Sequence, residues 1–304
     1  MRIKIKESYK GTLSLLTGAF LYASFGVFIR EMNKMFGVYA QVTARYLIVV
    51  VAALIIAIAY KISLKIDKKE FLKVVIFSAM FPISVILFTI SAVNTKISIS
   101  VFLLYGVGLI FSVILGKVLF KEKINRQKSV SVIMSLLGLL VFSGLLNNNF
   151  SLGLGMITGF FAGVFDSLAN ASRKLVKGIA WQKLLFWQFS FGALVSLALS
   201  IVSGEQLIKQ VRVSSIVVTI IFGLCLTLLS RLLLYGFSKV DINIATPILA
   251  MELVFSVVLG YIFLQESPSN NQILGGLFIM LATIIASLDL TKLKKNSLIN
   301  KLAR

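Results

Sequence analysis

The sequence of 304 residues contains no histidine, only one cysteine and only three prolines. Without histidine it can form neither an HExxH zinc site nor a Ser-His-Asp triad, and no GxxxxGK[ST] nucleotide-binding segment occurs. The single thiol, Cys225, allows no disulfide within the chain. These absences argue against ATP-driven and hydrolytic chemistry, and we expect neither a cofactor nor a metal.

Charged residues are also scarce, at 14% of the chain, whereas hydrophobic residues make up 58%. A soluble domain carries about 25% charged residues. The charges are bunched between apolar runs, each close to the ~20 residues that cross ~30 Å of hydrocarbon as a helix. The composition therefore predicts an all-α integral membrane protein.

We predict ten transmembrane helices. The first apolar run, residues 11–29, is long enough to span the membrane, so we interpret it as a retained helix and not as a cleaved signal peptide. The ten predicted spans are 11–29, 39–60, 71–93, 97–117, 129–146, 151–172, 182–203, 214–236, 242–264 and 269–289.

Basic residues are distributed unequally between alternate loops. With the N-terminus in the cytoplasm, and with basic residues at span ends counted in the adjoining loops, 24 of the 31 Lys and Arg lie in inside segments, five lie in outside loops, and two lie deep within spans. Basic loops stay on the cytoplasmic side. This bias predicts a multi-pass protein of the cell (cytoplasmic) membrane with both termini cytoplasmic. The net charge of +20 then indicates attraction to anionic lipid at the cytoplasmic face, and not binding to nucleic acid.

One segment of the chain is repeated. Residues 111–122, FSVILGKVLFKE, return as residues 255–266, FSVVLGYIFLQE, with six of twelve positions identical. Because each predicted half has five crossings, the second half enters the membrane upside down relative to the first. The predicted organisation is a cytoplasmic N-terminus (1–10), a first five-helix repeat (11–146), a second, inverted five-helix repeat (151–289) and a basic cytoplasmic tail (290–304).

The stretch from Tyr235 to Glu266 has small residues at the start of a helix, then Pro247, the acid Glu252, an aromatic and a closing glutamate. In this pattern and in its ten-helix repeat the chain resembles the EamA family of the drug/metabolite transporter superfamily. The resemblance implies transport of a small molecule without naming the cargo. The first copy departs from the second, since Leu103 aligns with Pro247 and Gly108 aligns with Glu252.

Four charged residues lie deep within predicted spans, away from the span ends, where each costs at least about 2.5–3.5 kcal/mol on insertion scales. They are Arg45, Asp166, Arg231 and Glu252. Glu252 lies near the midplane, the depth at which transporters built from repeats bind substrates and ions. It is predicted to be a protonatable or cation-binding group, or else an acid that joins two helices. Pro247 would kink the helix one turn earlier, as a hinge or as a packing detail.

The other three charges also allow two interpretations each. Asp166 and Asn170 are four residues apart and share a helix face, which makes both of them candidates for substrate or ion binding. Arg231 is predicted either to snorkel to the membrane interface or to pair with Asp166. Arg45 is predicted either to hold an anionic group of a substrate or to snorkel outward. Four aromatic residues either line a cavity or serve as packing and interface anchors: Tyr22, Tyr105, Trp187 and Tyr235.

The leading hypothesis is a secondary-active transporter of a small metabolite, such as an amino acid, a nucleoside or a drug-like compound. We expect efflux coupled to protons or to exchange, by alternating access between the two halves, in a monomer or homodimer. The alternative is a flippase for a lipid-linked sugar or another amphiphile. An intramembrane enzyme or scaffold is disfavoured, because paired acids of the DxxxD kind, histidine and a large loop are all absent.

Overall fold

The computed structural model describes residues 2–95, 97–144, 153–265 and 267–287. The eleven helices in these ranges are α1 (Arg2–Met32), α2 (Val38–Ala59), α3 (Phe71–Asn94), α4 (Ile97–Phe120), α5 (Arg126–Phe142), α6 (Leu154–Leu175), α7 (Trp181–Val202), α8 (Val213–Lys239), α9 (Ile242–Leu249), α10 (Met251–Leu264) and α11 (Asn270–Ser287). Three predicted features lie outside the described residues: the connection between the repeats, Glu266 and the basic tail.

In the part of the chain that the structure describes, nine helices are long and apolar enough to cross a bilayer, with α9 and α10 counted together. Helix α5 has 17 residues, the lower limit of the length that spans hydrocarbon. The only bridge of the β type among the described residues joins Phe36 to Ile208. The prediction of an all-α membrane protein is therefore confirmed.

Helix α2 illustrates how the apolar spans divide between lipid and core. Leu47, Val51, Ile55 and Ile58 follow one another at intervals of four or three residues, and each is half exposed or more on the outside of the bundle. The opposite face carries smaller side chains, Val49, Ala53 and Ala57, which are all buried. Both faces are apolar, because the outer one meets lipid instead of water.

Close packing between helices depends on glycines. A Cβ on Gly163 of α6 would lie 2.7 Å from the carbonyl oxygen of Leu103 in α4. Likewise, a Cβ on Gly275 of α11 would lie 2.6 Å from the carbonyl oxygen of Gly138 in α5. Small residues of this kind let backbones approach in membrane proteins. The most extensive helix–helix contacts are those of α3 with α6, α4 with α6, α2 with α7, α5 with α11, α1 with α8, and α1 with α10.

The ninth predicted span is interrupted. Helix α9 ends at Leu249 and α10 begins at Met251, with Ala250 as a turn between them. Pro247 has no N–H to donate within the helix. Its carbonyl oxygen accepts a hydrogen bond from the Thr283 hydroxyl of α11 at 3.0 Å. A neighbouring side chain thus satisfies a backbone acceptor next to the break. In one continuous helix over 242–264 this acceptor would not require a side-chain donor.

The bundle has two ends, which differ in their contacts. We call the end at which α1 begins the N-terminal end, and there Lys239 of α8 pairs with Glu7 of α1 at 2.9 Å. At the opposite end, the Glu205 carboxylate accepts the backbone N–H of Ala40 at the start of α2, at 2.6 Å. The first contact joins α1 to α8, and the second joins the segment after α7 to the start of α2.

Candidate substrate-binding cavity

A cavity of about 420 Å³ lies between the helices. Small-molecule sites have volumes of roughly 300–1,000 Å³. Seven aromatic residues line the cavity: Tyr22, Phe25, Tyr46, Phe81, Phe88, Tyr105 and Phe222. The charged residues among its lining are Arg45, Asp166 and Glu252, and the polar ones include Ser84, Asn170, Thr246 and Ser256. The cavity is thus mostly aromatic and contains both acidic and basic groups.

Glu252 reaches the cavity because α10 begins beside it. It lies in the first turn of α10, where free backbone N–H groups and the helix dipole favour a negative charge. The Tyr105 hydroxyl of α4 donates a hydrogen bond to the Glu252 carboxylate. One contact at the cavity wall therefore joins α4 to α10 through the acid that sequence reasoning placed near the midplane.

Asp166 belongs to a short polar network on one face of α6. The Asn170 amide donates to the Asp166 carboxylate at 2.9 Å. Arg173, one turn further, donates to the Asn170 side-chain oxygen. The Arg173 guanidinium is buried and lies over the rings of Phe81 and Phe237, at 5.7 and 5.6 Å from their centroids. The arginine is therefore held below the cavity, while the acid and the amide face it.

Arg45 of α2 is buried and also faces the cavity. Its guanidinium lies 4.7 Å from the ring centroid of Phe222 and 5.8 Å from that of Tyr46. Its Nε atom has no hydrogen-bond partner among the described residues. The side chain therefore faces the cavity and does not snorkel outward to lipid, which was the second interpretation drawn from the sequence.

The aromatic walls are packed against one another. Phe25 lies 4.4 Å from Phe222 and 5.4 Å from Tyr22, measured between ring centroids. Aromatic faces attract cations, most strongly where water is excluded. Together with two carboxylates, such walls are suited to a cationic group, and Arg45 is suited to an anionic group on the same solute.

The cavity is closed toward the N-terminal end. Thr246 forms a hydroxyl–hydroxyl hydrogen bond of 2.9 Å with Ser112 of α4. Further toward this end, the buried Glu122 carboxylate accepts the backbone N–H groups of Ile242 and Asn243 at 2.9 and 3.4 Å. Glu122 also pairs with Lys174 of α6. A single carboxylate that follows α4 thus caps α9 and binds α6.

A second ion pair lies at the same end. Lys128 of α5 contacts Asp241, the residue before α9, at 2.6 Å. In the other direction the cavity lining reaches Ile29, three residues before the end of α1, and Phe88, six residues before the end of α3. The lining therefore extends from mid-bundle toward the opposite end, and the polar closure lies on the N-terminal side.

The structure brings five of the eight predicted binding residues together around the cavity: Tyr22, Arg45, Asp166, Asn170 and Glu252. Pro247 lies just beneath it, between the lining residues Thr246 and Leu249. Tyr105, also considered as a cavity residue, hydrogen-bonds to Glu252.

The other three predicted residues lie away from the cavity. Arg231 is nine residues after Phe222, which corresponds to two and a half helical turns, so it occupies the opposite face of α8. It does not pair with Asp166 and instead lies over the ring of Trp181, at 5.2 Å. Tyr235 is on the same outer face of α8 as Arg231. Trp187 donates from its indole N–H to the Leu64 carbonyl at 2.9 Å and is partly exposed.

Sequence reasoning missed most of the aromatic lining and the Glu122 cluster. Nothing in the pattern distinguishes cavity-facing rings such as Phe25, Phe81 and Phe222 from the other phenylalanines among the 24 in the chain. Glu122 did carry a signal, because it closes the first copy of the repeated segment as Glu266 closes the second. Within the described ranges, no group of three or more His, Cys, Asp and Glu side chains is placed to hold a metal.

A multi-pass helical bundle with an aromatic and partly charged cavity between its spans is the architecture of a membrane transport protein. The chain belongs to the EamA-like transporter family, part of the drug/metabolite transporter superfamily. The family model matches residues 9–144 and again residues 150–288. The resemblance inferred from the sequence is thereby confirmed.

Two individual proteins are also similar to this chain, one in sequence and one in fold. An uncharacterized transporter of Clostridium kluyveri is 23% identical over 189 residues, which cover 60% of this chain and 61% of the relative. The match thus spans about three fifths of that relative's length. A solved crystal structure has a similar fold, with a TM-score of 0.76 and 13% sequence identity, over 91% of this chain and 96% of its own.

Proposed function

We propose that this protein is a secondary-active transporter of the cell membrane, which moves a small cationic or dipolar metabolite through the central cavity by alternating access. Amino acids, nucleosides and drug-like compounds are the candidate cargoes, exported in exchange for protons or a counter-substrate. The observation that carries the proposal is the pair of acids, Glu252 and Asp166, in an aromatic cavity that is closed toward the N-terminal end.

The proposal includes ten crossings in two inverted five-helix halves, with both termini cytoplasmic. In such an arrangement α1 corresponds to α6, α3 to α8, and α4 to α9 and α10. The packing of α3 on α6 then has its counterpart in α1 on α8, and that of α4 on α6 in α1 on α10. The two matches to the family model, over 9–144 and 150–288, support the same division.

The contacts at the N-terminal end support alternating access. Glu122 belongs to the first half, whereas its partners Lys174, Ile242 and Asn243 belong to the second. Lys128 and Asp241 also connect the two halves. Because these bonds cross the division, they have to break when the cavity opens toward this end. The same groups are therefore bonded to one another when the cavity is closed toward this end and separated when it is open.

The acids supply a simple means of coupling. An ionised Glu252 attracts a cationic group, and protonation of Glu252 removes that attraction. A proton and a cationic cargo therefore compete for one carboxylate, which is the requirement for exchange. Asp166 would add a second negative charge for the cargo, while Arg45 would orient any anionic group that it carries.

The size of the cavity favours a small solute over the lipid-linked sugar of the alternative hypothesis. At about 420 Å³, it lies in the lower half of the range for small-molecule sites. Its opposite acidic and basic groups fit a compact molecule with separate charges better than a long amphiphile.

The test begins with a thermal-stability screen of the purified protein against amino acids, nucleosides and lipophilic cations such as tetraphenylphosphonium, since a ligand stabilises the state it binds. The hits are then followed into proteoliposomes under an imposed pH gradient. We expect gradient-driven transport in the wild type and its loss in Glu252→Gln. The matched control is Asp67→Asn, an equal loss of charge at an exposed residue outside the cavity. Wild-type transport and pH dependence in Glu252→Gln would remove this acid from the mechanism.

A further inference from the structure

A second recess lies on the outside of the bundle, between α1 and α8. It has a volume of about 460 Å³ and is lined by Lys10, Leu13, Thr17, Leu228, Arg231 and Tyr235, among others. Behind it the two helices are joined, because the Ser14 hydroxyl donates to the Leu232 carbonyl at 2.8 Å. We call this recess the α1/α8 groove. It is separate from the central cavity and shares no lining residue with it.

The groove combines two cations with an apolar floor. Neither Lys10 nor Arg231 has a carboxylate within 4 Å in the described part of the chain, and Glu7, one turn before Lys10, is paired with Lys239. Leu13 and Leu228, in contrast, are half exposed along the groove. An apolar strip that ends in two unpaired positive charges is complementary to a molecule with a hydrocarbon chain and an anionic head.

The position of Arg231 favours an anionic partner. It is exposed on the lipid side of α8, eight residues before the helix ends, or about 12 Å along the axis. A charged residue in hydrocarbon is costly unless it reaches the interface or finds a partner. The guanidinium does reach Trp181, the first residue of α7, at 5.2 Å from the ring centroid. Tryptophan is enriched at membrane–water interfaces, so this contact favours a position for the guanidinium near lipid phosphates at the N-terminal end.

We propose that the α1/α8 groove is a binding site for an anionic phospholipid of the leaflet at the N-terminal end. The phosphate lies between Lys10 and Arg231, and one acyl chain covers Leu13 and Leu228. Tyr235, which lies on the same face as Arg231, offers its hydroxyl to the head group. This role accounts for Arg231 and Tyr235, two residues that the central cavity does not use, and it does not depend on the transport proposal.

The groove offers its own spectroscopic reporter. The chain has only two tryptophans, and one of them, Trp181, contacts the groove residue Arg231. In a Trp187→Phe protein reconstituted into vesicles, quenching of Trp181 by brominated lipids measures which lipid occupies the site. We expect brominated phosphatidylglycerol to bind more tightly than brominated phosphatidylcholine, by about fivefold for each cation.

Two double variants test the assignment. Lys10→Gln/Arg231→Gln should abolish the preference for phosphatidylglycerol. Lys73→Gln/Lys117→Gln removes the same charge from exposed residues of α3 and α4 at the same end of the bundle, and should keep it. Equal quenching by the two lipids in the unsubstituted groove, or a preference that survives Lys10→Gln/Arg231→Gln, would overturn the proposal.

A further arm distinguishes a lipid from a soluble anion. Inorganic phosphate is added to protein in vesicles of phosphatidylcholine alone, and Trp181 emission is recorded. A lipid site predicts no saturable change. A saturable change that requires Lys10 and Arg231 would identify a free phosphate group as the ligand and would contradict the lipid assignment.

Discussion

Helix α4 and the pair α9/α10 contain the two copies of the repeated segment, yet they differ in structure. Helix α4 is continuous over 24 residues, whereas its counterpart is broken at Ala250. Gly108 of α4 aligns with Glu252, so the first copy brings no acid to the cavity. The acid on that side comes from α6 instead. A Cβ on Gly108 would lie 3.8 Å from the Asp166 carboxylate.

This difference shows how two unequal halves supply one site with two acids. If the first helices of the halves are aligned on Leu13 and Leu154, Asp166 aligns with Phe25, which also lines the cavity. In this alignment, the glycine and the acid of one pair, Gly108 and Asp166, correspond to an acid and an aromatic residue, Glu252 and Phe25. In the proposed arrangement of two halves, the halves share their packing, and the acids of the cavity lie on α6 and α10.

The largest effect is expected from an acid introduced into the first copy. Gly108→Asp would place a second carboxylate beside Asp166 in a buried site. We expect it to lower the free energy of unfolding by about 3 kcal/mol or more, because the new charge has no partner. Denaturation in mixed micelles measures this change. Gly108→Ala is the matched control, since its Cβ meets only ordinary contacts, at 3.6 and 3.8 Å. Equal stability of the two variants would mean that Asp166 does not occupy the space beside Gly108.

Removal of either existing acid should weaken the binding of a cationic ligand. We expect Asp166→Asn and Glu252→Gln each to reduce affinity about tenfold or more, the value of a hydrogen bond or contact to a charged group. Isothermal titration with the strongest cationic hit of the ligand screen measures both. Undiminished affinity in Asp166→Asn would leave Glu252 as the one acid that acts on the cargo.

Making the second copy more like the first tests the break in the helix. Pro247→Ala restores an N–H donor and favours a straight helix. If the straight form favours one conformation by ~1.4 kcal/mol, the maximal transport rate falls about tenfold. Ligand affinity in the resting state should stay close to that of the wild type. Pro82→Ala in α3 is the control for loss of a helix proline elsewhere. Unchanged turnover in Pro247→Ala would make the proline a packing detail and not a hinge.

The smallest effect is expected from loss of the hydrogen bond that Thr283 makes next to the helix break. Thr283→Val removes the hydroxyl that donates to the Pro247 carbonyl, with almost no change in shape. Loss of this buried hydrogen bond should cost about 1 kcal/mol of stability. Thermal unfolding measures it, and Thr17→Val, which loses an exposed bond to its own helix, should change the midpoint less. A stability loss no larger than that of Thr17→Val would show that the Pro247 carbonyl finds another donor.

Hydropathy was sufficient to predict the helices, because an apolar run near 20 residues has few alternatives to a span. It could not predict the break at Ala250, which depends on a turn and on a hydroxyl from α11. The two acids, Arg45 and Asn170 could be singled out as candidates, and they do line the cavity, because polar groups are rare and costly inside the bilayer.

Other parts of the site could not be predicted, for a related physical reason. In a soluble helix a polar face marks the outside, but in α8 both faces are apolar, and nothing in the sequence says that Phe222 faces the cavity while Leu228 faces lipid. Arg231 was open to two interpretations because the sequence indicates how deep the residue lies in the membrane but not which way its side chain points. Its direction follows from how α8 packs on α1.

Alternating access is the central claim, and accessibility of the two sides of the closure tests it most directly. In a Cys225→Ser background, Ser256→Cys reports on the cavity and Ser112→Cys on the closed N-terminal side, where Ser112 is fully buried. With an impermeant thiol reagent, we predict that Ser256→Cys reacts in the resting protein and Ser112→Cys does not. During transport, Ser112→Cys should become reactive from the N-terminal side while labelling of Ser256→Cys declines. A Ser112→Cys that stays unreactive during active transport, or both sites open at once, would contradict the account.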